Sequence, residues 1–215
     1  MKLIRRPLFC LSLLLALPVF ADEQAPAPSV APAPAAPSHQ LYFSPQDKVD
    51  ARLIALIESE KTEIRAAVYC LTHRGIIKSL IDARKRGVNV ELIVDPFTIK
   101  AKAPLRRMAQ AGIAIYVWDP KPIVQVDIKE KSKKKERRPL MHNKFCVFGQ
   151  NTVWTGSFNF TSEASHANQE NVVVLKDADA AKRYVDEFER VKDEGCSPFT
   201  TYLADRPKKN KGKII

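Results

Sequence analysis

Between residues 64 and 118, short apolar runs rich in β-branched residues alternate with helical patterns, and this alternation restricts the fold class. The apolar runs at 64–71, 88–94 and 113–118 have the length and composition of buried strands. The segments 75–86 and 104–111 show helical spacing, and each is followed by a glycine, which commonly ends a helix. Strands that alternate with helices in this way favour an α/β sandwich.

The same reasoning extends to both ends of this region. Residues 44–47 read Ser-Pro-Gln-Asp, which predicts a helix start with a capping serine, a proline in the first turn and an acid three residues on. Further strands and a closing helix are predicted at 144–148, 152–155, 171–175 and 177–194. Residues 119–139 are polar and charged without periodicity, and we predict a loop there.

The first 40 residues have the composition of a targeting segment followed by a spacer. Residues 1–21 combine three basic residues, a short apolar core and a final alanine, which predicts a signal peptide and therefore export to the periplasm or the medium. An uncleaved N-terminal anchor is the alternative. Residues 22–40 are rich in proline and alanine and predict a disordered linker. Residues 41–205 then suffice for one catalytic domain, followed by a basic tail at 206–215.

The chain is basic, with a net charge of +11. Without Lys2, Arg5 and Arg6 of the signal segment, the 35 basic residues fall to 32 against 24 acidic ones, a net charge of +8. A basic exported protein attracts polyanions, so nucleic acid and anionic lipid surfaces are both candidate partners. Charge alone does not separate the two.

Three cysteines remain after the signal segment: Cys70, Cys146 and Cys196. Export permits a disulfide, but an odd number leaves one thiol free or paired with another chain. Cys70 and Cys146 lie in apolar strand-like runs, which favours buried free thiols. No Cys/His spacing indicates a zinc site, so we expect no metal and no cofactor.

The run MHNKFCVFGQNTVWTGSFNFT at 141–161 carries the residues best suited to phosphate chemistry. His142 can act as a nucleophile or proton carrier, and Lys144 offers a compact positive charge. Ser157 and Asn159 add neutral donors after Gly156, which lets backbone approach a ligand. Residues two apart in a strand project to the same face, so the two pairs can converge on one phosphate.

This combination resembles the phospholipase D superfamily motif, His-x-Lys-x4-Asp-x6-Gly-Ser-x-Asn. The matching positions are His142, Lys144, Gly156, Ser157 and Asn159. Gly149 stands where the family has aspartate, a residue thought to lie away from the phosphate. The single motif copy is similar to the branch that contains bacterial EDTA-resistant endonucleases and Zucchini-type proteins. The resemblance implies a mixed β-sheet flanked by helices on both faces.

The resemblance also implies site roles and an assembly. Glu170 is the candidate for the acidic residue that accepts a hydrogen bond from the catalytic histidine. His142 and Lys144 are the other candidate catalytic residues, and Lys144, Ser157 and Asn159 would bind phosphate. The chemistry needs two histidines, one as nucleophile and one as acid and base, so a homodimer with one composite pocket is expected.

Residues 129–138 read KEKSKKKERR and immediately precede the motif. A charge run is usually a solvated loop. Beside a phosphate site it can also track a nucleic-acid backbone, which is the interpretation we favour. The candidate contacts are Lys133, Lys134, Lys135, Arg137 and Arg138. His73 and His166 receive no role from the sequence.

These observations predict an exported, metal-independent phosphodiesterase, foremost a non-specific endonuclease that acts through a phosphohistidine. One alternative is a phospholipase D or cardiolipin hydrolase, which would use the same chemistry on an anionic phospholipid. Another is a non-catalytic polyanion-binding protein, with Gly149 as a sign of lost activity. The sequence does not separate DNA from RNA.

Overall fold

The computed structural model describes residues 38–100, 102–126 and 134–205. The strands are β1 (Ser38–Ser44), β2 (Glu63–Val68), β3 (Asn89–Val94), β4 (Ala114–Trp118), β5 (Ile123–Val126), β6 (Lys134–Arg137), β7 (Lys144–Phe148), β8 (Thr152–Gly156), β9 (Glu170–Lys176) and β10 (Cys196–Pro198). The α-helices are α1 (Val49–Ser59), α2 (Arg74–Lys85), α3 (Lys102–Gln110), α4 (Ser162–His166), α5 (Ala178–Gly195) and α6 (Phe199–Ala204), and a 3₁₀ helix covers Pro96–Lys100.

Eight strands form one mixed sheet in the order β1-β9-β8-β7-β2-β3-β4-β10. Strands β2, β3 and β4 are parallel to one another, whereas β7 runs antiparallel to β2. Strands β8, β9 and β1 continue the sheet in antiparallel pairs. The carboxyl ends of β2 and β3 therefore lie at the same sheet edge as the start of β7, the end of β8 and the start of β9.

Each face of the sheet buries its own apolar cluster, because neighbouring strand residues point to opposite sides. Ala66 belongs to the cluster with α1, α2 and α3, and the next residue, Ala67, belongs to the cluster with α5. Phe148 and Val147 divide in the same way. Phe188 of α5 is fully buried against the second face. The predicted mixed sheet with helices on both faces is confirmed.

The N-terminal part of the fold differs from the sequence prediction. Strand β1 begins at Ser38, inside the range predicted as a linker, and Ser44 pairs with Glu170 rather than capping a helix. Asp47 closes a turn, since its carboxylate accepts from the Phe43 backbone N–H and its own N–H donates to the Phe43 carbonyl. Helix α1 accordingly starts only at Val49.

The predicted loop at 119–139 is also partly structured. Strand β5 pairs antiparallel with β6, with Ile123 opposite Arg137 and Val126 opposite Lys134. The charge of this segment obscured the β-branched run Ile123-Val124-Gln125-Val126, which has good strand propensity.

The predicted signal peptide at 1–21, most of the predicted linker and the basic tail at 206–215 lie outside the described residues. Among the helices that the structure describes, none has the length and hydropathy needed to cross a bilayer.

Candidate active site

The motif residues meet at the sheet edge where β2 and β3 end and β7 begins. In α/β sheets, the space beyond the carboxyl ends of parallel strands is a common ligand site, especially where strand direction or order changes. Here the change falls between β2 and β7, which are antiparallel neighbours. His142 precedes β7, Ser157 follows β8, and Glu170 opens β9.

His142 and Lys144 form a contact pair at this edge. The Lys144 Nζ lies 3.1 Å from His142 Nδ1 and donates to the His142 carbonyl oxygen at 2.7 Å. Strand β7 covers Lys144–Phe148, as predicted, so His142 lies two residues before the strand, and the two side chains still meet. The His142 side chain is exposed, whereas Lys144 is only 8% exposed. A nearly buried ammonium beside an accessible imidazole suits a phosphodiester substrate.

Ser157 links the ends of β8 and β9. Its hydroxyl donates to Glu170 Oε2 at 2.5 Å and accepts from the Asn171 backbone N–H at 3.0 Å. The Ser157 N–H donates in turn to the Asn171 carbonyl at 3.0 Å. Glu170 also accepts from the side chain of Asn168 at 3.1 Å. These bonds fix the serine hydroxyl and the carboxylate in one network.

In the described part of one chain Glu170 does not bond to His142, and its predicted role as the acceptor for the catalytic histidine stays a prediction. Among the described residues, the hydrogen bonds of Glu170 go to Ser157 and Asn168, and the Nδ1 of His142 faces Lys144 instead. The physical reason is the register of β8 against β9. Gly156 lies opposite Val172, which brings the next residue, Ser157, within reach of the carboxylate at the start of β9.

Asn159 completes the motif between two buried phenylalanines, Phe158 and Phe160. Its side-chain oxygen is buried and has no hydrogen-bond partner among the described residues. A half-turn of the amide would exchange this oxygen for the NH₂ group, which can donate to a phosphoryl oxygen. An unsatisfied buried amide is costly, so a ligand that completes it would bind more tightly.

Gly149 lies at the far end of β7 from Lys144, in the turn that leads to β8. Its φ of 55° is in the left-handed region, which favours glycine. A Cβ built there would lie 3.4 Å from a carboxylate oxygen of Glu60, whose side chain already accepts from Thr62. The departure from the family motif therefore concerns a turn remote from the phosphate site.

Electrostatics tune Lys144. Burial lowers the pKa of its ammonium below the ordinary lysine value, while the carboxylates of Glu170 and Asp95 oppose the shift. The neighbouring Tyr69 has a raised pKa because of burial, with smaller contributions from Asp95 and Cys70. Lys144 Nζ also lies 5.2 Å from the Tyr69 ring centroid, within cation–π range.

The lowered pKa of Lys144 predicts a pH effect. Because the ammonium loses its proton at a lower pH than an ordinary lysine, turnover should fall as the pH rises through that lowered pKa. Between the lowered pKa of folded Lys144 and the ordinary lysine pKa, the unfolded chain binds more protons than the folded chain. The contribution of Lys144 to the free energy of unfolding therefore rises with pH across this range. The measurement is kcat/KM against pH. Lys144→Arg stays charged throughout, and its residual activity should lack the alkaline decline. A decline that persists in this variant would belong to another group.

The candidate nucleic-acid contacts are only partly described. Lys133 lies outside the described residues. Strand β6 contains Lys134, Lys135 and Arg137. Arg138 is exposed and its guanidinium forms an ion pair with Asp119, which follows β4. The prediction that this segment binds nucleic acid stays a prediction.

Sequence reasoning missed Asp95, which is 3% exposed. One carboxylate oxygen accepts from the Phe97 backbone N–H at 2.8 Å, and the other accepts from the Met141 N–H at 3.1 Å. Asp95 therefore ties the segment after β3 to the residue before His142. Its position directly after a predicted strand was a usable signal, because polar residues at strand ends commonly line α/β sites.

The three cysteines that the structure describes are free thiols, and Cys146 is buried. Burial raises the pKa of the thiols of Cys70 and Cys146, and that of Cys196 to about 12. Thiols with raised pKa values are poor nucleophiles at neutral pH.

A second polar cluster joins Asp50, His73 and His166, whose ligand atoms lie within 4.8 Å of one another. His73 caps α2, because its Nδ1 accepts from the Ile76 N–H at 3.2 Å. A neutral ring with an accepting Nδ1 carries its proton on Nε2, the atom 3.4 Å from Asp50. The ring therefore donates to the carboxylate in this arrangement, whereas a metal at Nε2 would require the opposite tautomer and the loss of the cap.

This geometry defines an α/β protein with a histidine–lysine pair at a sheet edge. The family described as "Cardiolipin synthase, PLD-like domain" matches residues 53–192, and the chain belongs to this phospholipase D-like family.

Curated relatives and solved structures extend this result. The chain is 29% identical to a phospholipase D of Rickettsia bellii over 66% of this chain and 63% of the relative, and 25% identical to a mitochondrial cardiolipin hydrolase of Xenopus tropicalis over 67% and 61%. It thus spans about three fifths of the length of these relatives. The phospholipase D family member Nuc of Salmonella typhimurium aligns with a TM-score of 0.62 at 28% identity, covering 76% of this chain and 98% of that one. NucT of Helicobacter pylori shares the fold, with a TM-score of 0.64 at 20% identity over 76% and 99%.

Proposed function

We propose that the protein is an exported, metal-independent phosphodiesterase that cleaves nucleic acid. The observation that carries this proposal is the pairing of an exposed His142 with a nearly buried Lys144 at 3.1 Å, at the sheet edge shared with Ser157 and Asn159. Family membership supports the reaction class. Export rests on the signal-peptide pattern at residues 1–21.

The proposed reaction has two steps. His142 attacks phosphorus and forms an N–P bond, while the P–O bond to the leaving group breaks and a second histidine protonates the departing oxygen. That second histidine then takes a proton from water, which attacks phosphorus and releases His142. Lys144 and Asn159 would donate to the non-bridging oxygens and stabilise the developing charge. Ser157 would join them by turning its one O–H from Glu170 to the phosphate. This charge compensation needs no metal.

The site in one chain lacks two parts of this mechanism. It holds one His142, and the Nδ1 of that ring faces the Lys144 ammonium, which cannot accept a proton. Attack through Nε2 requires a proton on Nδ1 and an acceptor for it. Two copies related by a two-fold axis would supply the second histidine and bring in the carboxylate of another Glu170, so we infer a homodimer with one composite pocket.

An apolar strip beside the site supports this assembly. Leu41 and Phe43 lie two apart on the edge strand β1 and are 55% and 54% exposed. Phe43 pairs with Asn171, next to Glu170 at the start of β9. Exposed apolar side chains of this size on an edge strand commonly mark an interface.

Substituting both Leu41 and Phe43 by serine should convert an active dimer into an inactive, folded monomer. Both side chains are more than half exposed in the single chain, so their loss removes interface area without opening the core. Light scattering and turnover at matched concentrations provide the measurement. Ile123→Ser is the control, since Ile123 is 52% exposed but lies on β5. Wild-type protein that is monomeric and active at assay concentration would contradict the composite site.

The substrate class can be tested directly. Purified mature protein is incubated with plasmid, single-stranded DNA, RNA and cardiolipin vesicles, each with and without excess EDTA. We expect cleavage of nucleic acid to survive chelation, because Lys144 supplies the charge that a metal supplies elsewhere. Asp50→Asn, which alters the Asp50, His73 and His166 cluster, should leave activity in EDTA unchanged. Loss of cleavage on chelation and its rescue by magnesium or zinc would contradict the metal-free mechanism.

A phospholipid substrate is the second candidate. Leu140, two residues before His142, is 51% exposed, and Phe97 is 44% exposed, so apolar side chains lie beside the site. The names of the curated relatives point in the same direction. The net positive charge and the basic β6 region suit nucleic acid as well as anionic lipid, so charge alone does not separate the two. The cardiolipin vesicles in the panel decide between the two.

A non-catalytic polyanion-binding role is the least supported alternative. This alternative was based on Gly149, which stands where the family motif has aspartate. Gly149 lies in a turn at the opposite end of β7 from Lys144. The residues that would handle phosphate are all present at the site edge.

A further inference from the structure

Two aromatic rings extend outward from the catalytic pair. The Tyr69 ring lies 4.7 Å from the His142 ring, centroid to centroid, at a tilt of 54°. Phe97 stacks on Tyr69 with a centroid distance of 5.3 Å and an interplanar angle of 10°. Phe97 is 44% exposed and follows β3 at the same sheet edge.

The backbone around both rings is firmly held. Thr98 is 1% exposed, and its hydroxyl donates to the Tyr69 carbonyl at 2.9 Å. The Tyr69 N–H donates to the Asn143 carbonyl at 3.0 Å, within the motif itself. The two carboxylate oxygens of Asp95 accept hydrogen bonds from the backbone N–H groups of Phe97 and Met141. The Tyr69–Phe97 pair is therefore tied to the segment that carries His142, which limits the entropy lost when a ligand stacks on it.

We propose that Tyr69 and Phe97 form a stacking platform for a nucleobase next to the scissile phosphate, with the base resting on the exposed part of the Phe97 ring. The assignment rests on the proposed nuclease function. A phosphate held by Lys144 and a Phe97 ring connected to His142 through Tyr69 match the alternation of charge and flat base along a single strand. Stacking on aromatic rings is tolerant of base identity, which fits a non-specific enzyme.

Planarity favours a base over an acyl chain. The two rings are nearly parallel and present a flat face, and a cation lies over Tyr69, as in sites that bind single-stranded nucleic acid. A lipid tail would require apolar bulk without any particular ring geometry. The Phe97→Leu and Phe97→Trp variants therefore distinguish a base from an acyl chain, because leucine keeps apolar bulk without a ring whereas tryptophan keeps a planar ring.

The test uses a short oligonucleotide with one cleavable phosphodiester among methylphosphonate linkages, flanked by either a base or an abasic residue. Wild type should cleave the base-containing substrate about 10-fold faster or more, in kcat/KM, than the abasic one. Phe97→Ala and Phe97→Leu should lose this preference through slower cleavage of the base-containing substrate alone, whereas Phe97→Trp should keep it. Thermal unfolding of each variant checks that the fold is intact.

A binding readout complements turnover. In the Phe97→Trp, His142→Ala double variant, fluorescence excited in the tryptophan band should be quenched by single-stranded oligonucleotide beyond the quenching seen in His142→Ala alone, and less by an abasic strand.

Equal loss of cleavage on base-containing and abasic substrates in the Phe97→Ala variant would show that Phe97 only supports the pocket. No loss of cleavage on either substrate would remove Phe97 from substrate binding. Selective loss of cardiolipin hydrolysis would assign the surface to lipid. If wild type cleaves no oligonucleotide at all, both the proposed function and the platform are contradicted. If wild type cleaves the base-containing and abasic substrates equally, only the platform is contradicted.

Discussion

The His142→Ala variant should lose phosphodiester cleavage by roughly four orders of magnitude or more, because it removes the nucleophile and, in a dimer, also the proton carrier. The His142 side chain is exposed and its ring contacts are with Tyr69 and Lys144, so its loss should leave the unfolding transition near that of wild type. The measurement is kcat/KM on the most active substrate of the panel, with thermal unfolding in parallel. Substantial residual cleavage would remove His142 from the mechanism.

His166→Ala is the matched control for this variant. His166 is also exposed and lies at the end of α4, outside the proposed chemistry, so its removal should leave turnover nearly unchanged. Mixed dimers of wild type and His142→Ala add a second test, since a composite pocket with one histidine should be nearly inactive. Activity that is simply proportional to the wild-type subunits present would indicate independent sites and would contradict the shared pocket.

The fold was largely accessible from sequence because its signals are local. Runs such as 88–94 are β-branched and bounded by turn residues, and the structure places β3 at Asn89–Val94. The prediction failed where a local signal had two structural solutions. Ser44-Pro45-Gln46-Asp47 has the composition of a helix start, but the pairing of β1 with β9 recruits Ser44 into the sheet, and Asp47 closes the turn. Tertiary pairing decided between the two.

The site was accessible only in part. The convergence of His142 with Lys144 followed from their spacing, although β7 begins at Lys144. The partner of Glu170 could not be predicted, because it depends on the register of β8 against β9, which spacing along the chain does not determine. The role of Asp95 was not predicted for a similar reason. Its carboxylate binds the backbone N–H groups of Phe97 and of Met141, and Met141 is distant in sequence.

Gly156 carries the second large expected effect. A Cβ at this position would lie 2.1 Å from the Asn171 carbonyl oxygen and 2.9 Å from its carbon, and the φ of 152° is a conformation that other residues rarely adopt. The same carbonyl accepts from the Ser157 N–H, so any movement that relieves the clash displaces Ser157 and its bond to Glu170. Gly156→Ala should lower the unfolding free energy by about 3 kcal/mol or more, with strain and overpacking combined.

The same displacement should reduce turnover of Gly156→Ala by more than 10-fold even in the fraction that remains folded, because Ser157 would no longer face the phosphate. Gly87→Ala is the matched control. Gly87 has a φ of 96°, but an added Cβ meets no atom within 4 Å, so this variant reports the backbone cost alone. It should lose about 1–2 kcal/mol of stability and keep full activity. Denaturant unfolding and kcat/KM, measured on both variants below their transitions, separate the two effects. If Gly156→Ala matched Gly87→Ala in stability and in turnover, the close approach of β8 to Asn171 would have no part in holding the site.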